Sequence, residues 1–228
     1  LGYGAHHIKD FFLNYQETTS NDFVLRNGKA ELLATDIADW SISFIQTGVE
    51  SAIGERLRRV RSYLDDDEVF LANYGDVLTD APMDRIVDDF LATDAVGSLM
   101  AVSPQDSFHV VRYDPDGTMH DLEPVADMSM CINGGYFVLR QGIFDYLGEG
   151  EDLVMDACVR AARAGRFRVH PHTGFWAPMD TLKERSVLEE MNRIGDRPWA
   201  VWDARHQLSV RRAPEVDVGD VAPLPRAV

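Results

Sequence analysis

The stretch Val69-Phe70-Leu71-Ala72-Asn73-Tyr74-Gly75-Asp76 decides the fold. Four apolar residues in a row, without polar alternation, suit a strand buried on both faces, as in a parallel sheet. The run then breaks into Asn, Tyr, Gly and an acid, which places Asp76 at the strand's C-terminal end. A helix over 82–93 is expected next, with Pro82 in its first turn, where a missing N–H costs nothing. Residues 96–102 read as another buried strand. This β–α–β alternation predicts a doubly wound, mostly parallel α/β sheet with right-handed crossovers. Ligands of such sheets sit outside the carboxyl ends of the strands, where Asp76 falls.

On the N-terminal side, Ile8, Phe11, Phe12 and Tyr15 give residues 5–16 a helical spacing with one apolar face. Asn27-Gly28 marks a turn, 31–35 a short strand, and 41–47 a second strand ended by Gly48. Residues 50–63 read as a helix with Ile53, Leu57, Val60 and Leu64 on one side and arginines on the other. On the C-terminal side, 108–113 and 118–122 form a hairpin around Asp114-Pro115-Asp116-Gly117. Residues 131–138 read as a strand interrupted by two glycines. Helices near 140–147 and 152–164 lead to a strand over 166–170, then to Phe175-Trp176 and Asp180. A last helix covers 181–194. From Ser209 onward prolines, glycine and scattered charges predict a disordered tail. The expected division is one domain over 1–203 and a tail over 204–228.

Composition narrows the partners. The chain has 228 residues with 45% hydrophobic content, enough for a sizeable core. Its formal charge of −16 argues against a nucleic-acid partner. A nucleotide arriving with its own magnesium is not opposed by that charge. No apolar run approaches the roughly 18 residues of a membrane span. Cys131 and Cys158, without metal spacing, read as reduced, buried thiols, and the expected compartment is the cytoplasm. The chain begins Leu1-Gly2-Tyr3-Gly4, which resembles the exit from a strand, so a piece of a longer protein is expected.

Asp76 and Asp180 each follow an apolar run and are the candidate metal ligands. Two carboxylates plus substrate phosphates suffice for Mg2+. Each also has a plainer reading, Asp76 as a loop cap and Asp180 as the N-cap of the helix that follows it. Asn133-Gly134-Gly135 inside a strand points to a bulge or to close approach of another molecule, and an Asn amide suits a pair of sugar hydroxyls. His170 and His172 lack a third ligand at a recognisable spacing and read as ordinary strand-end histidines. His6 and His7 read as helix surface, and Trp199 and Trp202 as anchors of the C-terminal segment.

In series, these segments resemble the sugar-1-phosphate nucleotidylyltransferases, most closely glucose-1-phosphate cytidylyltransferase. The markers are Leu1-Gly2-Tyr3-Gly4, Ile8-Lys9-Asp10-Phe11-Phe12, Thr47-Gly48 and Tyr74-Gly75-Asp76. Ile132 through Val138, Gly174-Phe175-Trp176, Met179-Asp180-Thr181-Leu182, and Pro198-Trp199 to Trp202 complete them. The resemblance covers roughly residues 1–203. It implies a nucleotide-binding sheet of the nucleotidyltransferase and glycosyltransferase-A type, with a small β-rich sugar-binding portion. The implied reaction joins an NTP, by similarity CTP, to a sugar 1-phosphate, giving an NDP-sugar and pyrophosphate. Mg2+ would be held by Asp76 and Asp180, with Tyr74 and Gly75 beside it. Asn133, Gly134 and Trp176 would line the sugar side, and the enzyme would be a homo-oligomer.

Two departures stand out. The family's Gly-Gly-x-Gly-Thr-Arg loop is not in this sequence, so the chain by itself is expected to be inactive. The family's Glu-Lys-Pro corresponds to Leu122-Glu123-Pro124, an anion where a phosphate-binding Lys is expected. Either a different, related phosphate takes the place of the sugar 1-phosphate, or Arg112, on the neighbouring strand of the hairpin, supplies the cation. The alternative function is a catalytically silent homologue that binds a nucleotide sugar or a protein partner. A glycosyltransferase fits less well, because Tyr74-Gly75-Asp76-Val77 holds one Asp and not an Asp-x-Asp pair.

Overall fold

The computed structural model describes residues 1–64, 67–104 and 108–202. The expected tail, and residues 106 and 107 ahead of the hairpin, lie outside them. The chain runs through α1 (Ala5–Leu13), α2 (Glu17–Ser20), β1 (Phe23–Arg26), β2 (Lys29–Leu32) and α3 (Ile53–Val60). Then come β3 (Val69–Asn73), β4 (Val77–Thr79), α4 (Met83–Leu91), β5 (Gly97–Val102), β6 (His109–Tyr113) and β7 (Met119–Pro124). β8 (Ile132–Arg140), α5 (Val159–Arg163), β9 (Phe167–His172), β10 (Trp176–Pro178) and α6 (Leu182–Ile194) follow. No helix among the described residues is long and apolar enough to cross a membrane.

The protein is α/β, with a mixed central sheet of strand order β3-β8-β5-β9. The expected β–α–β unit is present, but β8 is inserted between its strands. β8 runs against β5: the Arg140 amide donates to the Val96 carbonyl at 2.9 Å, while Gly134 lies against Met100 and Val102. β5 and β9 start side by side, the Val96 amide donating to Arg166 at 2.8 Å, and so run parallel. β3 is an edge strand. Its Phe70 is buried while Leu71 is exposed, so the apolar run is half-buried and not covered on both faces.

By contact the chain forms two compact units. The first holds Leu1–Leu71, Thr93–Ser98 and Val138–Arg168. Asn27 and Gly28 both take positive φ, 52° and 77°, and close the β1–β2 hairpin as the Asn-Gly signal predicts. The strand of this hairpin ahead of the turn carries no signal in the sequence reading. The strand expected over 41–47 does not form. Leu1 instead donates to the Ile45 carbonyl and accepts from the Thr47 amide and hydroxyl, a contact that does not extend into a ladder. α3 docks through Gly54, where a Cβ would lie 2.4 Å from the Glu151 carbonyl. The helix expected over 140–147 is a 3-10 segment, and the one over 152–164 starts as a π-helical turn capped by Asp152. Leu139, Ile143, Leu153, Ala157 and Ala161 form the core of this unit. Burial pushes the Cys158 thiol up to about 12, whereas Cys131 is exposed, contrary to the expectation of two buried thiols.

The second unit holds, of the described residues, Ala72–Ala92, those within Leu99–Phe137, and 169–202. Its core includes Met100, Val102, Phe137, Ile86, Phe90 and Trp176. β6 and β7 pair with Val111 opposite Leu122 and Arg112 opposite Asp121, as the turn sequence predicts. Trp199 rests on Phe175 at 5.6 Å and serves as the expected anchor, but Trp202 is 75% exposed and does not.

Candidate functional site

β4 carries no strand signal of its own, yet it positions the site. It pairs antiparallel with β10, Trp176 opposite Thr79 and Pro178 opposite Val77. One further bond extends the pairing: the Met179 amide donates to the Asp76 carbonyl at 2.8 Å. Asp180 therefore directly follows the residue bonded to Asp76. Paired strands lie roughly 4.8 Å apart, so the two carboxylates leave neighbouring backbone segments. Both aspartates are exposed.

Neither makes a capping bond. The N-cap of α6 is Thr181, whose hydroxyl accepts from the Glu184 amide at 3.2 Å while Glu184 accepts from the Thr181 amide at 2.7 Å. That reciprocal box holds the Glu184 carboxyl below its ordinary value, the Thr181 amide being the largest cause. Asp180 is thus not the cap. Asp76 sits in a turn ahead of a strand, and the N-cap position of the next helix is Pro82, which makes no side-chain cap bond. Among the described residues, neither carboxylate has an ion pair or side-chain hydrogen bond. Nor do the described residues gather three or more His, Cys, Asp or Glu into a metal-holding group. A pair of oxygen donors is what Mg2+ requires when phosphates and water fill its other positions, so the donor set fits that ion.

A second cluster lies beside the pair. The Tyr74 amide donates to the Gly135 carbonyl at 2.9 Å. The Asn133 amide nitrogen donates to the Tyr74 hydroxyl at 3.1 Å, and its carbonyl accepts from the Gly135 amide at 2.9 Å. One donor and one lone pair of that amide stay available. Gly135 takes φ +78°, and a Cβ there would meet the Tyr74 ring at 2.8 Å. Gly134 is required by packing, since its Cβ would lie 2.9 Å from Met100 Cε and 3.1 Å from the Met100 carbonyl. Trp176 is buried, and its indole donates to the Gly134 carbonyl at 2.9 Å. Gly75 differs from these glycines: a Cβ there meets nothing within 4 Å, and its φ lies outside the left-handed region.

Arg112 lies on the hairpin, 3.9 Å from Asp121 and 3.8 Å from Glu123. It does face Glu123, as proximity in the hairpin suggests. His170, with its charge opposed chiefly by burial, stands 3.9 Å from Asp89. His172 bonds Asp80 at 2.9 Å, a partnership the sequence reading missed. Its only sequence signal is a His and an Asp that each lie at a strand end.

No family model matches the chain. The curated relatives include glucose-1-phosphate cytidylyltransferase of Salmonella typhi, 31% identical over 204 residues, covering 89% of this chain and 79% of the relative. The enzyme of the same name from Salmonella typhimurium strain LT2 matches to the same extent, 31% over 204 residues. The chain belongs to the glucose-1-phosphate cytidylyltransferase family. Its members are nucleotidyltransferases, and this chain is one by that membership. A solved structure, HddC from Yersinia pseudotuberculosis complexed with GMP-PN, is similar at TM-score 0.49 and 14% identity, over 84% of this chain and 76% of that one. The matched span of the cytidylyltransferases takes in most of this chain, at a level where sugar-phosphate nucleotidyl transfer is the shared activity.

Proposed function

We propose that the protein transfers a cytidylyl group from CTP to a sugar 1-phosphate, with Asp76 and Asp180 as the ligands of Mg2+. A sugar-phosphate oxygen attacks the α-phosphorus, the bond to the β-phosphate breaks, and pyrophosphate leaves. Bound magnesium would supply neutralisation of the charge on the phosphates. The chain's own contribution is positioning. The pairing of β4 with β10 brings the backbone at Asp76 against Met179, the neighbour of Asp180. Asn133 offers its remaining donor to the hexose, and Gly75 leaves open space next to Asp76. Arg112 supplies a cation towards the acceptor phosphate. Exposed Phe11, Leu13 and Trp40 support a homo-oligomer, and we place its work in the cytosol.

The observation that carries this reading is the Met179–Asp76 bond, which sets Asp180 one residue past the partner of Asp76, combined with the Thr181 cap, which leaves Asp180 out of the capping role. The test is pyrophosphate release from CTP, glucose 1-phosphate and Mg2+ by the full-length protein. Asp76→Asn should lower turnover by about 10²–10³ with the fold intact. Turnover unchanged by Asp76→Asn would sink the metal role. Silence of the folded wild type with every sugar phosphate tried would favour a homologue that only binds a nucleotide sugar or a partner.

A further inference from the structure

The carbonyl of Phe175, just ahead of β10, collects three donors. They are the Thr79 hydroxyl at 2.8 Å, the Asp80 amide at 3.2 Å and the His172 ring nitrogen Nε2 at 3.3 Å. The same Nε2 lies 2.9 Å from Asp80 Oδ1. Both of its partners are acceptors, so Nε2 carries the proton. The two side chains are 9% and 24% exposed, so the cluster is half-buried. Gly174 is shaped to them: a Cβ there would fall 2.4 Å from Asp80 Oδ1 and 2.7 Å from His172 Cε1.

This cluster ties the last residue of β9 and the β9–β10 loop to the residue that follows β4. β4 and β10 pair over three residues each, too few to hold a register unaided. The pairing is fixed at one end by the Met179–Asp76 bond and at the other by the Asp80–His172–Phe175 cluster. A slip of one residue would change which residue of the β10 end meets Asp76 and would turn the side chains there to the opposite faces. We infer that Asp80 and His172 are positioning residues, a latch that sets the register of β10 on β4 and so the separation of the two aspartates. The inference rests on the metal role proposed for Asp76 and Asp180.

Binding of Mn2+ alone, followed by the electron paramagnetic resonance of the free ion, tests it without requiring turnover. His172→Ala and Gly174→Ala should each weaken Mn2+ affinity about tenfold while the protein stays folded. His172→Gln, which keeps an amide donor for Asp80, should restore most of it. His170→Ala, on the same strand but outside the latch, should bind as the wild type does. Should His172→Ala fail to fold, Gly174→Ala and Asp80→Asn carry the same comparison. Loss of Mn2+ binding in Asp180→Asn with wild-type affinity in a folded latch variant would overturn the latch alone. Unchanged Mn2+ affinity in Asp180→Asn would overturn the metal pair, and the latch with it.

Discussion

Two antiparallel pairs of the second unit, β4–β10 and β6–β7, differ in how they are made and in what they carry. β6 and β7 pair over five residues and are joined by a tight turn, with the Gly117 amide donating to Asp114 at 2.8 Å. β4 and β10 pair over three residues, and Thr79 bonds Phe175 across 96 positions of sequence. The local pair is exposed and holds Arg112 and Glu123 in a loose ion pair. The distant pair is tied to the buried Trp176 and the half-buried His172 and Asp80, and it is flanked by the two aspartates. Precise placement thus goes with the pairing that costs more chain entropy to close. The cost is offset by specific contacts along its length.

The largest effect is expected where those contacts are most buried. Trp176→Ala removes a core indole from β10 and should cost about 3–5 kcal/mol in urea denaturation. Trp176→Phe keeps most of the apolar bulk but removes the buried hydrogen bond to the Gly134 carbonyl, with an expected cost of about 1–3 kcal/mol. If Trp176→Phe unfolded with the wild-type midpoint, the indole hydrogen bond would have no part in seating β10.

Smaller and more selective effects are expected at the glycines. Gly134→Ala forces a methyl against Met100 and should cost about 1–3 kcal/mol. Gly75→Ala meets open space and should change stability by less than about 0.5 kcal/mol. Pyrophosphate release should nonetheless fall in Gly75→Ala if a nucleotide approaches there. Full activity in that variant would remove Gly75 from the site and leave Asp76 to act without it.

The same contrast explains what could be read from the amino acids. The Asp114-Pro115-Asp116-Gly117 turn and the Asn27-Gly28 turn are local signals, and both hairpins form around them. β3, β5, β8 and β9 are long enough for their apolar content to declare them, apart from ends shifted by a few residues. β4 has three residues and no pattern, because its partner is chosen by the fold around it. Asp180 next to a helix reads equally well as a cap. Only the structure shows Thr181 and Glu184 sharing that task, since a capping box and a bare acidic cap differ by one residue in register. Gly134 and Gly75 look alike in sequence, and only their neighbours separate a packing glycine from an open one. Residues 41–47 have a strand's composition, yet composition cannot supply a ladder partner.

The smallest structural effect, and the most informative one about the acceptor, is expected on the hairpin. Arg112 is 56% exposed and Glu123 37%, at 3.8 Å, so solvent screens their attraction. Arg112→Ala should therefore change stability by no more than about 1 kcal/mol. If Arg112 holds the acceptor phosphate, the same substitution should raise the acceptor KM about tenfold, the scale of one charge-assisted hydrogen bond. kcat should change less, because the contact is made in the ground state as well as in the transition state. Glu123→Lys sharpens the point: it restores the cation expected from the family and removes the carboxylate that competes for Arg112. An acceptor KM that falls in Glu123→Lys and rises in Arg112→Ala would make the hairpin the phosphate grip. An acceptor KM indifferent to both would confine substrate binding to residues around β4 and β10, and the two strand pairs would then divide as site and scaffold.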